Sequence, residues 1–255
     1  MISKQLLKIK SHLCIAQDTF EVVLHSPLAR ELKPGQFIHI ALKHHMLRRP
    51  VSVANVDVGA ETFTIVFKIF GEGTRALSNC KAGGDFLDAI LPCGSYYPID
   101  RLQLDHALIV GGGIGGVPPL YYLAQSLKKK GVQITSVLGF QTKSHVFYED
   151  KFQLLGDTYV ATNDGTYGAK GFVTDIITEL STDIDYYFAC GPTAMLKAVT
   201  DQLETQEGYI SLEERMGCGV GTCYACVVPL KEDPSKSKKI CKDGPVFYAN
   251  EVILP

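Results

Sequence analysis

His106 to Leu127 reads HALIVGGGIGGVPPLYYLAQSL. His106-Ala107-Leu108-Ile109-Val110 is a continuous apolar run, the pattern of a parallel strand buried on both faces. It runs into glycines, and a helical segment follows from Leu120 to Leu127. Strand, glycine-rich turn and helix in that order give the context for a dinucleotide fingerprint, with Gly111, Gly113 and Gly116 as its glycines. They let a diphosphate approach the backbone and the helix N-terminus. Further strands are expected at Gln133–Phe140, Thr158–Thr162 and Tyr186–Cys190, and a helix at Gly171–Leu180. Alternation of this kind over residues 101–210 predicts a parallel sheet with flanking helices. Ligands of such sheets bind beyond the carboxyl ends of the strands. Gly111–Gly116, Asn163-Asp164-Gly165 and Cys190-Gly191-Pro192 all fall there, and Cys190 is a candidate neighbour of a nicotinamide. The fingerprint expects a carboxylate about 20 residues after the glycines. Here the second strand ends Gly139-Phe140-Gln141-Thr142-Lys143, so NADH versus NADPH stays open.

Upstream, residues 1–100 read as β. Alternation at Thr19–Leu24, a turn at Pro34-Gly35 and runs at Gln36–Ile40, Pro50–Ala54, Thr62–Phe70 and Asp85–Pro92 suggest about six short strands in an antiparallel barrel or sandwich. Thr74 to Cys80 reads as a short helix. Two spots suit a phosphorylated cofactor. Arg49-Pro50-Val51-Ser52 offers a planar fork of donors at a strand edge. Gly71-Glu72-Gly73-Thr74 exposes N–H groups before a helix. Each alone is weak, and together, upstream of a dinucleotide fingerprint, they reinforce one another.

Downstream, Met216 to Cys241 reads MGCGVGTCYACVVPLKEDPSKSKKIC. Cys218, Cys223 and Cys226 follow C-x4-C-x2-C, and Cys241 comes after fourteen further residues. This is the plant-type spacing for a [2Fe–2S] cluster. Glycines at 217, 219 and 221 let the backbone curl and aim N–H groups at sulfurs. The rival is a four-cysteine zinc site, whose ligands usually pair as two short knuckles. Three cysteines together and one apart favour iron–sulfur. The lysine-rich segment Lys231 to Lys239 is expected to be a solvated loop.

The 255 residues suffice for two domains and a small module, at 46% apolar, 20% charged and net charge -2. That balance gives no footprint for nucleic acid or an anionic membrane. No apolar run approaches the roughly 18 residues of a membrane span, and the N-terminus lacks a signal-type h-region. Of eight cysteines, the four outside the motif show no disulfide-like spacing, so a reducing cytoplasm is the expected location. The seven histidines show no metal-ligand spacing. No acid–base pair or nucleophile set stands out, so no catalytic residue is assigned.

The order R-x-x-S, G-x-G-T, GGGIGG and CGP resembles the ferredoxin–NADP reductase superfamily. With the cysteine tail, the whole chain resembles the electron-transfer subunits of B-type dihydroorotate dehydrogenases. That resemblance implies a β-barrel FAD domain (1–100), a parallel-sheet NAD domain (101–210) and a [2Fe–2S] module (211–255). It implies that Arg49 holds FAD phosphates and Ser52 faces the flavin, with Pro50 and Val51 in the same motif. Val66, Phe67 and Lys68 would line the flavin, and Gly73 and Thr74 would donate to the pyrophosphate. Cys218, Cys223, Cys226 and Cys241 would ligate the cluster. The superfamily usually carries an aromatic residue before the serine, where this chain has Val51. The implied partner is an FMN-containing dihydroorotate dehydrogenase catalytic subunit, two of each, oxidising dihydroorotate with NAD in pyrimidine synthesis. The alternative is an NAD(P)H reductase feeding an oxygenase, a hydrogenase or a ferredoxin.

Overall fold

The computed structural model describes residues 2–180 and 183–254. Met1 and Pro255, the outer limits of the expected first and third domains, lie outside them. Six strands form the N-terminal part: β1 (Ser3–Ala16), β2 (Thr19–His25), β3 (Phe37–Ile40), β4 (Arg49–Asp57), β5 (Thr62–Lys68) and β6 (Phe86–Cys93). They close into a barrel in the order β1-β2-β5-β4-β3-β6, antiparallel throughout. Alternation does the work: inward residues such as Leu7, Ile9, Leu24, Ile38, Ile40, Val53 and Ile65 are fully buried in one core, so register is set by which face is apolar. β3 is buried at every position. Ile38 and Ile40 fill the barrel, whereas Phe37 joins the core shared with the C-terminal part. Helix α1 (Glu72–Ser78) begins two residues earlier than the sequence suggested.

A seven-stranded sheet follows, in the order β10-β9-β8-β7-β11-β12-β15. Its parts are β7 (His106–Gly112), α2 (Gly113–Lys129), β8 (Gln133–Phe140), α3 (Glu149–Gln153), β9 (Asp157–Thr162), β10 (Ala169–Lys170), α4 (Val173–Glu179), β11 (Tyr186–Cys190), α5 (Thr193–Gln202) and β12 (Glu207–Ser211). The first six pair parallel. The order reverses between β7 and β11, which is where ligands of such sheets bind. Helix α2 packs on β7, β8 and β11 and also on β4 of the barrel, and the Tyr122 hydroxyl donates to the Leu32 carbonyl at 2.8 Å. Those contacts join the two parts.

Two expectations for this region need correction. No loop separates strand from helix, since β7 runs to Gly112, and α2 begins at Gly113 rather than Leu120, so that it contains Pro118 and Pro119. Proline usually breaks a helix because it lacks an N–H and clashes with the preceding turn. Here both prolines lie within the first two turns. Pro119 leaves the Gly115 carbonyl without its helical donor, and the Cys190 thiol supplies one at 3.4 Å.

The C-terminal part contributes β13 (Val227–Pro229) and β14 (Ser237–Lys239), an antiparallel hairpin, and β15 (Val246–Tyr248). β15 pairs antiparallel with β12, so residues 211–255 supply an edge strand to the sheet as well as a module of their own. The lysine-rich segment is not a free loop. Lys239 Nζ donates to the Gly221 carbonyl at 2.8 Å and Lys231 Nζ to Asn250 Oδ1 at 3.1 Å, and Lys238 pairs with Glu251.

Candidate functional site

Two adjoining cavities of about 820 and 720 Å³ lie between barrel, sheet and C-terminal part. Arg49, Pro50, Ser52, Phe70, Thr74 and Glu213 line both. The two weak barrel motifs meet here. A Cβ added to Gly73 would lie 2.9 Å from both Nε and Nη2 of Arg49, so the guanidinium rests on the glycine turn. The Thr74 hydroxyl accepts from the N–H of Phe70 at 2.9 Å and of Gly71 at 3.3 Å. It is therefore spent on holding the turn, and the donors left to the site are the Arg49 guanidinium and the backbone N–H groups of the first turn of α1. Val51, Val66, Phe67 and Lys68 line the larger cavity. Phe67 stacks on Phe20 with centroids 5.6 Å apart. Lys68 Nζ lies 2.9 Å from His145 Nε2, and burial followed by the Lys68 charge lowers the pKa of that imidazole.

On the sheet side the larger cavity is walled by Gly112, Gly113, Gly115, Gln141, Asn163 and Pro192, among others. Three expected residues do not line it. Gly111 sits beneath, where an added Cβ would be 3.3 Å from Val117 Cγ2. At Gly116 an added Cβ would run into the backbone carbonyl of Cys190. Cys190 is itself buried, and burial pushes its thiol pKa up. Gly111 and Gly116 thus let helix and strands pack closely, and Cys190 anchors that packing. Gly116→Ala is expected to cost about 3 kcal/mol, at the upper end for overpacking. Thermal unfolding should show Tm lowered by roughly 6–12 °C, whereas Gly113→Ala, with open space at its Cβ position though strained at φ +52°, should lose less.

Asn163 lines the cavity as its strand-end position suggested, whereas sequence reasoning gave no site role to Glu213, Phe70 or Gln141. Glu213 follows β12, and its carboxylate abuts Gly115. Its side chain is exposed where it lines the two cavities, and desolvation by the surrounding protein raises its pKa. Glu213 could have been found by reading Glu207–Ser211 as a further strand, since its carboxyl end had to open on the same crevice.

The four motif cysteines lie together behind the smaller cavity. Cys226 and Cys241 are buried in the core that also holds Phe37 and Met216, and Phe37 and Met216 line that cavity. Cys218 interacts with the Cys223 side chain, and Cys241 with Cys226. Cys241 also feels the Cys218 thiol, so the interactions link both ends of the motif. Gly219 (φ +70°) and Gly221 (φ +83°) adopt the left-handed backbone this curl needs. The Cys223 N–H donates to Cys218 Sγ at 3.4 Å. Burial raises the Cys218 pKa, but hydrogen bonds from Thr222, Cys223 and Val220 outweigh it and bring the thiol down to about 5. A thiolate with N–H groups aimed at it is the chemistry an iron ligand requires.

Residues 213–253 match the family described as the iron-sulfur cluster binding domain of dihydroorotate dehydrogenase B. A Bacillus cereus (strain G9842) protein named dihydroorotate dehydrogenase B (NAD(+)), electron transfer subunit, is 48% identical over 261 aligned residues, covering 100% of both chains. The chain belongs to this family of electron transfer subunits. A Bacillus anthracis (strain CDC 684 / NRRL 3495) member of the family is equally similar, at 48% over the full length of both. The family fold recurs in the solved structure of an NADH-dependent reduced ferredoxin-NADP oxidoreductase, at TM-score 0.87 and 35% identity over 98% of this chain and 90% of that one. A ferredoxin reductase of carbazole 1,9a-dioxygenase shares the fold at TM-score 0.69 and 19% identity, over 80% of this chain and 66% of its own. Among the described residues no helix is long and apolar enough to cross a membrane.

Proposed function

We propose that this chain carries electrons between the FMN of a dihydroorotate dehydrogenase catalytic subunit and NAD, with FAD and a [2Fe–2S] cluster as its own cofactors. One observation carries the reading: the Arg49–Gly73 turn and the switch point of the sheet line one pair of adjoining cavities, and Met216, which shares its core with Cys226 and Cys241, lines the smaller of them. The residues fit the groups. Arg49 and the first-turn N–H groups of α1 suit a diphosphate, and Ser52, Val66, Phe67 and Lys68 suit the rest of a flavin nucleotide. Gly112, Gly113 and Gly115 leave backbone room for a dinucleotide entering from the sheet. Four thiolates with three close in sequence and one apart suit the plant-type iron–sulfur spacing better than the paired short knuckles of a zinc site. A bound flavin exchanges hydride with a nicotinamide and single electrons with an iron–sulfur centre. The chain's own residues hold these groups in line and keep the Cys226 and Cys241 sulfurs out of water, with Cys218 and Cys223 partly exposed. Assembly as two copies of each subunit belongs to the same proposal, as does residence in the cytoplasm. The division into FAD (1–100), NAD (101–210) and cluster (211–255) domains does too, with β15 returning to the NAD sheet.

The full-length 48% identity to the dihydroorotate family exceeds the 35% identity to the ferredoxin-NADP oxidoreductase, which favours this reading over a general reductase. The test is an anaerobic visible spectrum of the purified chain before and after NADH, followed by addition of the catalytic subunit and dihydroorotate. Flavin bands and a red-brown shoulder, both bleached by NADH, are the expected result. A colourless protein that contains zinc would overturn it.

A further inference from the structure

His39 is fully buried, yet neither of its ring nitrogens has a hydrogen-bond partner. Buried polar groups seldom go unpaired, and each exception asks for an explanation. Its neighbours on β3 are Phe37, Ile38 and Ile40, so an apolar side chain would satisfy the strand. The alternation of β3 turns His39 outward from the barrel, against the cysteine loop. The imidazole packs on Gly219, where an added Cβ would collide with its Nδ1 and lie 2.7 Å from Cε1. The ring also approaches the backbone carbonyls of Cys218 and Arg48 without closing a hydrogen bond to either. The strand itself is pinned, because Arg48 Nη1 donates to the His39 carbonyl at 3.2 Å while Nη2 pairs with Asp88 Oδ1 at 2.8 Å. On the other side, His39 is in register with Pro50, within the Arg49–Ser52 motif. One buried imidazole therefore lies between the flavin motif and the cysteine loop.

We propose that His39 is a positioning residue of the electron relay, whose unpaired imidazole is poised to donate an N–H to the Cys218–Gly219 segment once the iron–sulfur group is held there, and so favours the reduced form of that group. The inference rests on the cluster reading above. The reduced group carries one more negative charge, and N–H donors directed at its sulfurs and their loop stabilise that charge and raise the potential. Through β3 and β4 the same residue holds the cysteine loop at a fixed distance from Arg49 and Ser52.

The test uses the full chain with its cofactors bound. In His39→Leu the shape is kept and the donor lost. The one-electron equilibrium between flavin and cluster, followed by redox titration with electron paramagnetic resonance, should shift about tenfold against the cluster, equal to about 59 mV. His39→Gln keeps a donor and should recover part of the shift, which a merely space-filling residue would not do. In wild-type protein labelled with ¹⁵N-histidine, pulsed resonance of the reduced chain should show an imidazole nitrogen coupled to the cluster, and His39→Gln should lose it. This last measurement stands even where His39→Leu fails to fold. An intact cluster signal with no imidazole coupling, or with an equilibrium unmoved in both variants, would overturn the inference alone. A wild-type chain with no iron–sulfur signal on reduction would overturn the cluster reading and the inference together.

Discussion

In a Cys226→Ser chain, electron flow from dihydroorotate through the catalytic subunit to NAD should fall by roughly 100-fold or more. Cys226 is only 1% exposed and interacts with Cys241, so the serine hydroxyl would sit in a site built for a buried thiolate. Oxygen is a harder ligand than the soft thiolate that iron–sulfur centres select. The red-brown shoulder should weaken or disappear. FAD content should match wild type, because Arg49 and Gly73 lie on the barrel and do not depend on Cys226. NADH should still reduce the flavin, and an artificial two-electron acceptor should be served within about twofold of wild type, since a single well-separated site rarely perturbs another. Retention of dihydroorotate-to-NAD coupling at the wild-type rate would show that the cysteine loop is not in the path.

Arg49→Ala should act on the other cofactor. Its guanidinium lies against Gly73, which places planar, permanently charged donors beside the free N–H groups of α1. Charge-assisted bidentate contacts with phosphate are worth about 2–3 kcal/mol, so FAD affinity should drop about 100-fold, measured by equilibrium dialysis or by release of flavin fluorescence. Arg49→Lys should recover only part, because an ammonium is a point charge and cannot reproduce the fork. The cluster shoulder should persist in both variants, which separates lost flavin from lost fold. Unchanged FAD binding in Arg49→Ala would remove Arg49 from the phosphate site and leave α1 as its sole anchor.

Much of this was legible along the chain. Period-two alternation marked the barrel strands, because one face of each had to be apolar. The apolar run before the glycines marked β7 as a central parallel strand. The four cysteines were readable because ligand spacing is a local property of one loop. Failures came where contacts are distant in sequence. The helix was expected only from Leu120, after Pro118 and Pro119, and only the Cys190 thiol, 71 positions after Pro119, shows how α2 accommodates them. Gly111 and Gly116 looked like phosphate-binding glycines until the side chains and backbone above them were seen. β10 and β15 are too short to carry a periodic signal and exist because β9 and β12 offer edges to pair with.

The sequence by itself determined the three-part architecture, the cysteine spacing and the two barrel motifs, since each is written in spacing and periodicity over a few residues. Only the tertiary structure decided which glycines face the cavity, and that Arg49 rests on Gly73. Only there does Glu213 enter the cleft, and only there does His39 lie unpaired between barrel and cysteine loop. These are distances between residues far apart in the chain, set by how barrel, sheet and tail pack, and no local pattern encodes them.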